Sequence, residues 1–143
     1  MNTIEICVSD TPAPEEHAAI FQGLLAYNEI HAGPASPREL AVLARQGGEL
    51  VGGLLGFTHW NWLHIRFLWV GEAFRCHGLG RRLMQAAELE AIGRGCEHAH
   101  LDTFSFQAQP FYERLGYEVF GRLEDYPAGC ARVFLQKRNL RHG

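Results

Sequence analysis

Arg75, Gly78 and Gly80, followed at once by Arg81 and Arg82, sit where a run of bulky apolar residues gives way to a helical pattern. Two glycines one residue apart remove the side chains that would keep a ligand off the backbone. The start of a helix adds unpaired N–H groups at the positive end of its dipole. Together these suit an anion, above all a phosphate or pyrophosphate, and the arginines bring charge matched to it. Neither of two better-known phosphate motifs is present. The turn has no Gly-Lys-Ser/Thr ending, and no third glycine near the first strand of a βαβ unit. On the turn alone, a helix cap with glycines for tight packing is the alternative.

Other reactive side chains are scattered. Cys7, Cys76, Cys96 and Cys130 stand too far apart for a zinc knuckle or a redox pair, and a reducing compartment is expected. Of eight histidines only His98 and His100 are close, and alternate strand residues rarely make a metal site, so no metal is expected. Trp60, Trp62 and Trp69 could line a pocket or hold a cation against a ring face, or belong to the core. Glu124 and Asp125, in the loop 124–129, could attract a cationic group or be ordinary turn acids.

These residues must be positioned by a chain of 143 residues, of which 47% are hydrophobic and 20% charged, with a formal net charge of −3. That length suits one domain, residues 1–143, able to bury roughly 70% of its unfolded surface. The slightly acidic balance argues against nucleic acid as a partner. The first ten residues lack the basic region of a signal peptide, and the most apolar stretch, Leu50 to Phe57, is too short to span a bilayer. A cytoplasmic protein is expected. Alternation over Thr3–Val8 predicts a first strand. Pro14 and the Glu15–Glu16 pair open an amphipathic helix carrying Ile20, Phe21, Leu24 and Leu25 to about Tyr27. Residues 39–45 and 50–57 read as a hairpin across Gly47–Gly48, with a third strand from Trp62 to Val70. Leu83, Met84, Ala87 and Ala91 mark the buried stripe of a helix ending near Gly93–Gly95. A strand over 98–106, a short helix over 107–115 and strands over 117–123 and 131–137 complete the chain. The order is β-α-β-β-β-α-β-α-β-β: a mixed α/β sheet with helices on both faces.

The pattern Arg75-x-x-Gly78-x-Gly80 after a strand ending Leu68-Trp69-Val70 resembles the signature of the GNAT superfamily of acyl-CoA N-acyltransferases. The segment Pro110-Phe-Tyr-Glu-Arg-Leu-Gly-Tyr117 is similar to the short helix and strand near that family's C-terminus. The element order matches along nearly the whole chain, without a clear second helix before the second strand. The resemblance implies acetyl-CoA as co-substrate, with its pyrophosphate on Arg75, Cys76, His77, Gly78, Leu79, Gly80 and Arg81. It implies that Leu68, Trp69 and Val70 offer backbone to the pantetheine arm, and that their amides help polarise the acyl carbonyl. Tyr112 takes the position of a general acid for the departing thiolate, and a phenol, protonated at neutral pH, suits that task. Where many relatives keep an asparagine seven residues earlier, this chain has Ser105; Gln109 is a second candidate for that contact. His64 takes the position of the general base, whose ordinary pKa lies near the working range. Strand parity puts His64 on the face of Leu68 and Val70 unless a bulge intervenes; a water wire to solvent is the other route for the proton.

The resemblance thus implies an enzyme moving an acetyl group from coenzyme A to a primary amine by direct attack. The acceptor is a small molecule or a protein amine, and the family resemblance admits a homodimer. Cys76 is poorly placed to carry the acyl group. A non-catalytic acyl-CoA-binding module and an interaction domain with a purely structural turn are the competing readings.

Overall fold

The computed structural model describes residues 2–142, in two compact units, 2–35 and 36–142. In the first, helix α1 runs Pro14–Ala32, five residues beyond the end expected from the apolar spacing. Pro14 presets the first turn, and the Glu16 carboxylate accepts the Ala13 N–H at 2.8 Å. At the far end Gly33, at φ 82°, donates to the Glu29 carbonyl. None of the helix's residues is buried, and Ile20, Phe21, Leu24 and Ile30 are exposed. The strand expected over Thr3–Val8 is absent. Its alternation is real, yet Ile4, Ile6 and Val8 are exposed and the segment makes no ladder hydrogen bonds; alternation gives a pleat, but pairing makes a strand.

The second unit is a six-stranded mixed sheet in the order β1-β2-β3-β4-β6-β5. Its elements are β1 Arg38–Gln46, β2 Glu49–His59, β3 Trp62–Val70, α2 Leu79–Gly93, β4 His98–Phe104, α3 Gln109–Arg114, β5 Glu118–Glu124 and β6 Ala131–Lys137. All neighbours are antiparallel except β3 and β4. Gly47 and Gly48, both at positive φ, close the β1–β2 hairpin, as a two-residue type I′ turn requires. Trp60 and Asn61 do the same between β2 and β3 without a glycine. Leu83, Met84, Ala87 and Ala91 bury one side of α2, which packs across β1, β2 and β3. They join Leu54, Leu63, Ile65, Leu101, Val133 and Leu135 in one core with Tyr112 and Tyr117.

Two irregularities in β3 set which side chains and which backbone groups it presents. Opposite β2, Leu55 pairs with Phe67 and Gly56 with Ile65, so Arg66 is an extra residue and the strand bulges. Opposite β4 the parallel ladder runs only from Trp62↔His98 to Ile65↔Leu101, and beyond Ile65 the two strands part.

Candidate active site

The turn between β3 and α2 is built from the end of β3 outward. Gly71 donates to the Val51 carbonyl at 2.8 Å, and a short 3₁₀ turn spans Glu72–Phe74. Arg75 Nε then reaches back to the Val70 carbonyl at 3.0 Å. Cys76 at φ 65° and Gly78 at φ 80° both take the left-handed conformation, which turns successive amides to one side. The first helical bond is Arg82 N–H to the Gly78 carbonyl at 3.1 Å. Among the described residues, none of the amides from Cys76 to Arg81 has a hydrogen-bond partner. A Cβ built on Gly78 would meet open space, so no protein atom covers the turn at that residue. Free amides at a helix N-terminus, with Arg75, Arg81 and Arg82 in the adjoining sequence, suit an anion.

Gly80 has a different role. A Cβ there would lie 3.2 Å from Cζ of Phe111, so the missing side chain lets α2 start directly against α3. The next residue on α3 is Tyr112, 7% exposed, with its ring set against Phe111 and Tyr117. Burial, and then the charge of Asp102, push its phenol up to about 12, so it carries its proton throughout the neutral range. Between α2 and α3 lies a cavity of about 640 Å³. Its lining includes the polar Arg81, Gln85 and Arg114 and the apolar Met84 and Phe111. At its back Glu88 accepts from Lys137 Nζ at 2.9 Å and from the Tyr117 hydroxyl at 2.8 Å. A second cavity of about 610 Å³ flanks the turn through His77, Leu79 and Arg82.

The bulge at Arg66 decides where His64 points. Leu63 and Ile65 are buried in the core, and after the extra residue Leu68 and Val70 pack against that core. His64 therefore shares the opposite face with Phe67 and Trp69, not the face of Leu68 and Val70 that simple alternation gives. There its ring stacks on His100 at 4.3 Å and meets Phe57 at 5.2 Å. Burial first, then His100, lower His64 to about 4. It is neutral at physiological pH and able to accept a proton. The same face carries Asp102, bound to Arg132 at 2.9 Å, and Arg132 also donates to the Tyr126 hydroxyl at 3.2 Å.

A model of the acetyltransferase (GNAT) family matches residues 4–117. The chain belongs to that family. It is 37% identical over 132 residues to an acetyltransferase of Agrobacterium fabrum, covering 92% of this chain and 96% of the relative. It is 44% identical over 91 residues to the blasticidin-S acetyltransferase of Streptomyces morookaense, covering 63% of this chain and 67% of that one. A crystal structure of an acetyltransferase from Agrobacterium tumefaciens superposes with a TM-score of 0.88 at 35% identity, over 94% of this chain and 99% of that one.

Within this acetyltransferase the structure brings the glycine turn, the open end of β3 and Tyr112 to one region through the Arg75–Val70 and Gly80–Phe111 contacts. Ser105 is at the start of the loop after β4, where its hydroxyl accepts the Ala131 N–H at 2.9 Å and its own N–H donates to the Ala131 carbonyl. Gln109 opens α3, half-buried. Gln107 carries no sequence signal, yet its side-chain oxygen accepts from Phe104 N–H at 2.8 Å and Thr103 Oγ1 at 3.0 Å, fixing the loop into α3. His98 and His100 attract notice in the sequence only as metal ligands. Among the described residues no cluster of three or more potential metal-binding side chains is found. The usable signal is the alternation His98, His100, Asp102, which puts three polar groups on one face of a strand.

Proposed function

We propose that this acetyltransferase moves an acetyl group from acetyl-CoA to a primary amine of a small molecule by direct attack. The observation that carries the reading is the row of six unpartnered amides from Cys76 to Arg81, which includes a left-handed glycine with open space above it. Such a nest is shaped and charged for the pyrophosphate of coenzyme A. The gap that opens between β3 and β4 after Ile65 leaves backbone of Leu68, Trp69 and Val70 free of β4 to pair with the pantetheine arm. Ser105, just beyond the end of β4, and Gln109, at the start of α3, are the candidates for side-chain contact with that arm. Acetyl-CoA supplies the activated acyl group; the chain's residues hold it, exclude water and handle two protons.

The amine nitrogen forms its bond to the thioester carbonyl carbon and the carbon–sulfur bond breaks. Tyr112, protonated because burial raises it to about 12, gives its proton to the leaving sulfur. His64, neutral because burial lowers it to about 4, takes the proton that the attacking nitrogen loses, directly or through a water. A base this weak does not strip an ammonium, so a cationic acceptor gives its proton to bulk water before attack, and His64 takes only the proton that the nitrogen sheds once the carbon–nitrogen bond has formed. The likeness to a blasticidin-S acetyltransferase makes blasticidin S the first acceptor to test, ahead of a panel of aminoglycosides, polyamines and amino acids.

Calorimetric titration with acetyl-CoA, and separately with coenzyme A, tests the cofactor half of the reading. Saturable binding at one per chain is expected. Thiol release with blasticidin S and the amine panel tests the transfer half. Binding without thiol release on any amine would leave an acyl-CoA-binding module, and no binding would reduce the turn to a helix cap.

A further inference from the structure

His64 and His100 are register partners in the parallel β3–β4 ladder, one pair short of where it ends. Their rings lie 4.3 Å apart and 11° from parallel. Phe57 on β2 meets the His64 ring edge-on at 5.2 Å, and Trp62 meets the His100 ring at 5.7 Å. Both imidazoles are thus held in fixed planes on the face of the sheet away from the core. Two stacked rings at this spacing repel strongly if both are charged. They take up protons as a pair, one at a time.

We propose that His100 is a positioning residue for the His64 base, fixing the plane of its ring and taking the first proton as pH falls. His64 then stays free to accept the proton released by the amine. The role rests on the reading of His64 as base. The groups that face the pair are His59 from β2, Arg66 on β3, and Asp102 on β4, which is itself paired with Arg132 of β6. For His64 burial, His100, Arg66 and His59 all oppose protonation, and Asp102 alone favours it. His100 is lowered as well, by burial and His59, against Asp102. Repulsion between the two rings is mutual, but His100 lies two residues from the Asp102 carboxylate on the same face of β4, whereas His64 is across the ladder on β3, so the first proton goes to His100.

The test is a proton NMR titration of the histidine ring signals in the parent and in His100→Phe, with His64 assigned from the signal missing in His64→Ala. Phenylalanine keeps a flat ring in the stack but carries no proton. His64 should titrate at higher pH in the variant, towards the ordinary histidine value, and the acid limb of kcat/KM should move in the same direction. An unchanged His64 titration overturns the proposal. A moved titration with an unmoved acid limb also overturns it, because the stack would then have no hold on catalysis. If His100→Phe does not fold, His100→Gln carries the same measurements. Full turnover in His64→Ala would instead defeat the base reading itself, and is seen independently of any His64 titration.

Discussion

Arg75 Nε donates to the Val70 carbonyl at 3.0 Å, and this bond ties the last residue of β3 to the turn beyond it. It adds to the packing of Val70 and Leu79 on the same core, which also holds the strand end near the start of α2. A ligand lying across both, with pyrophosphate on one and an extended arm on the other, needs the two held in fixed relation. Gly80 secures the third element in the same way, bringing α3 and Tyr112 against the first turn of α2. The candidate site is thus assembled by two short-range contacts around a single turn.

Gly78 and Gly80 separate ligand binding from packing. Gly78→Glu places a carboxylate where the pyrophosphate is proposed to sit, and should abolish acetyl-CoA binding in a calorimetric titration. Gly78→Ala adds only a methyl group into open space at φ 80°, a backbone strain of about 1–2 kcal/mol, so it should lower thermal stability while retaining weaker binding. Acetyl-CoA affinity in Gly78→Glu equal to the parent's would remove the turn from the site.

Tyr112→Phe deletes one hydroxyl from a buried ring. If the phenol protonates the leaving sulfur, kcat should fall roughly 10²-fold or more, while acetyl-CoA affinity stays near the parent value. Steady-state kinetics beside calorimetry make the distinction. A fall in affinity with kcat intact would mean that the tyrosine only shapes the pocket.

Much of the fold was legible because local chemistry and tertiary structure agreed. Gly47–Gly48 between two apolar runs could hardly be anything but a tight hairpin turn, and β6 falls on Ala131–Lys137 as its alternation requires. The turn between β3 and α2 was readable because glycine spacing and a strand-to-helix junction are local features. The family resemblance made a bulge in β3 a condition of the His64 role, but its place at Arg66 was not legible, since an extra residue shows only when β3 is laid against β2. Its consequence is large: it moves His64 to the other face of the sheet. The His64–His100 stack was hidden for the same reason, because register between β3 and β4 is set by α2 and the core, not by either strand. Thr3–Val8 misled in the opposite way, having the pattern of a strand and no ladder.

Gly56 lies opposite the bulge, and a Cβ there would collide with the His64 carbonyl. No flexible side chain can yield, so the backbone of β3 must move. Gly56→Ala should cost about 3 kcal/mol, seen as a fall in Tm of roughly 10 °C. Turnover at a temperature where the variant remains folded should fall as well, because the displaced carbonyl belongs to the proposed base. Parent-like stability would show that the bulge is softer than the geometry implies.

Stability against pH tests His64 in a way that does not depend on activity. Burial holds its folded-state value at about 4, against 6.5 for the ordinary side chain. Between those values the unfolded chain binds a proton that the folded chain does not, so stability must fall as pH drops through that window. Above about 6.5 both states are neutral at this site and the contribution is flat. His100 is lowered too and acts in the same direction. Urea unfolding of His64→Gln at a series of pH values should therefore show a shallower loss of stability between pH ~6.5 and ~4 than the parent. Parallel curves for the two proteins would mean that the His64 imidazole is protonated as readily in the folded state as in water, and a base held neutral by burial would have to be given up.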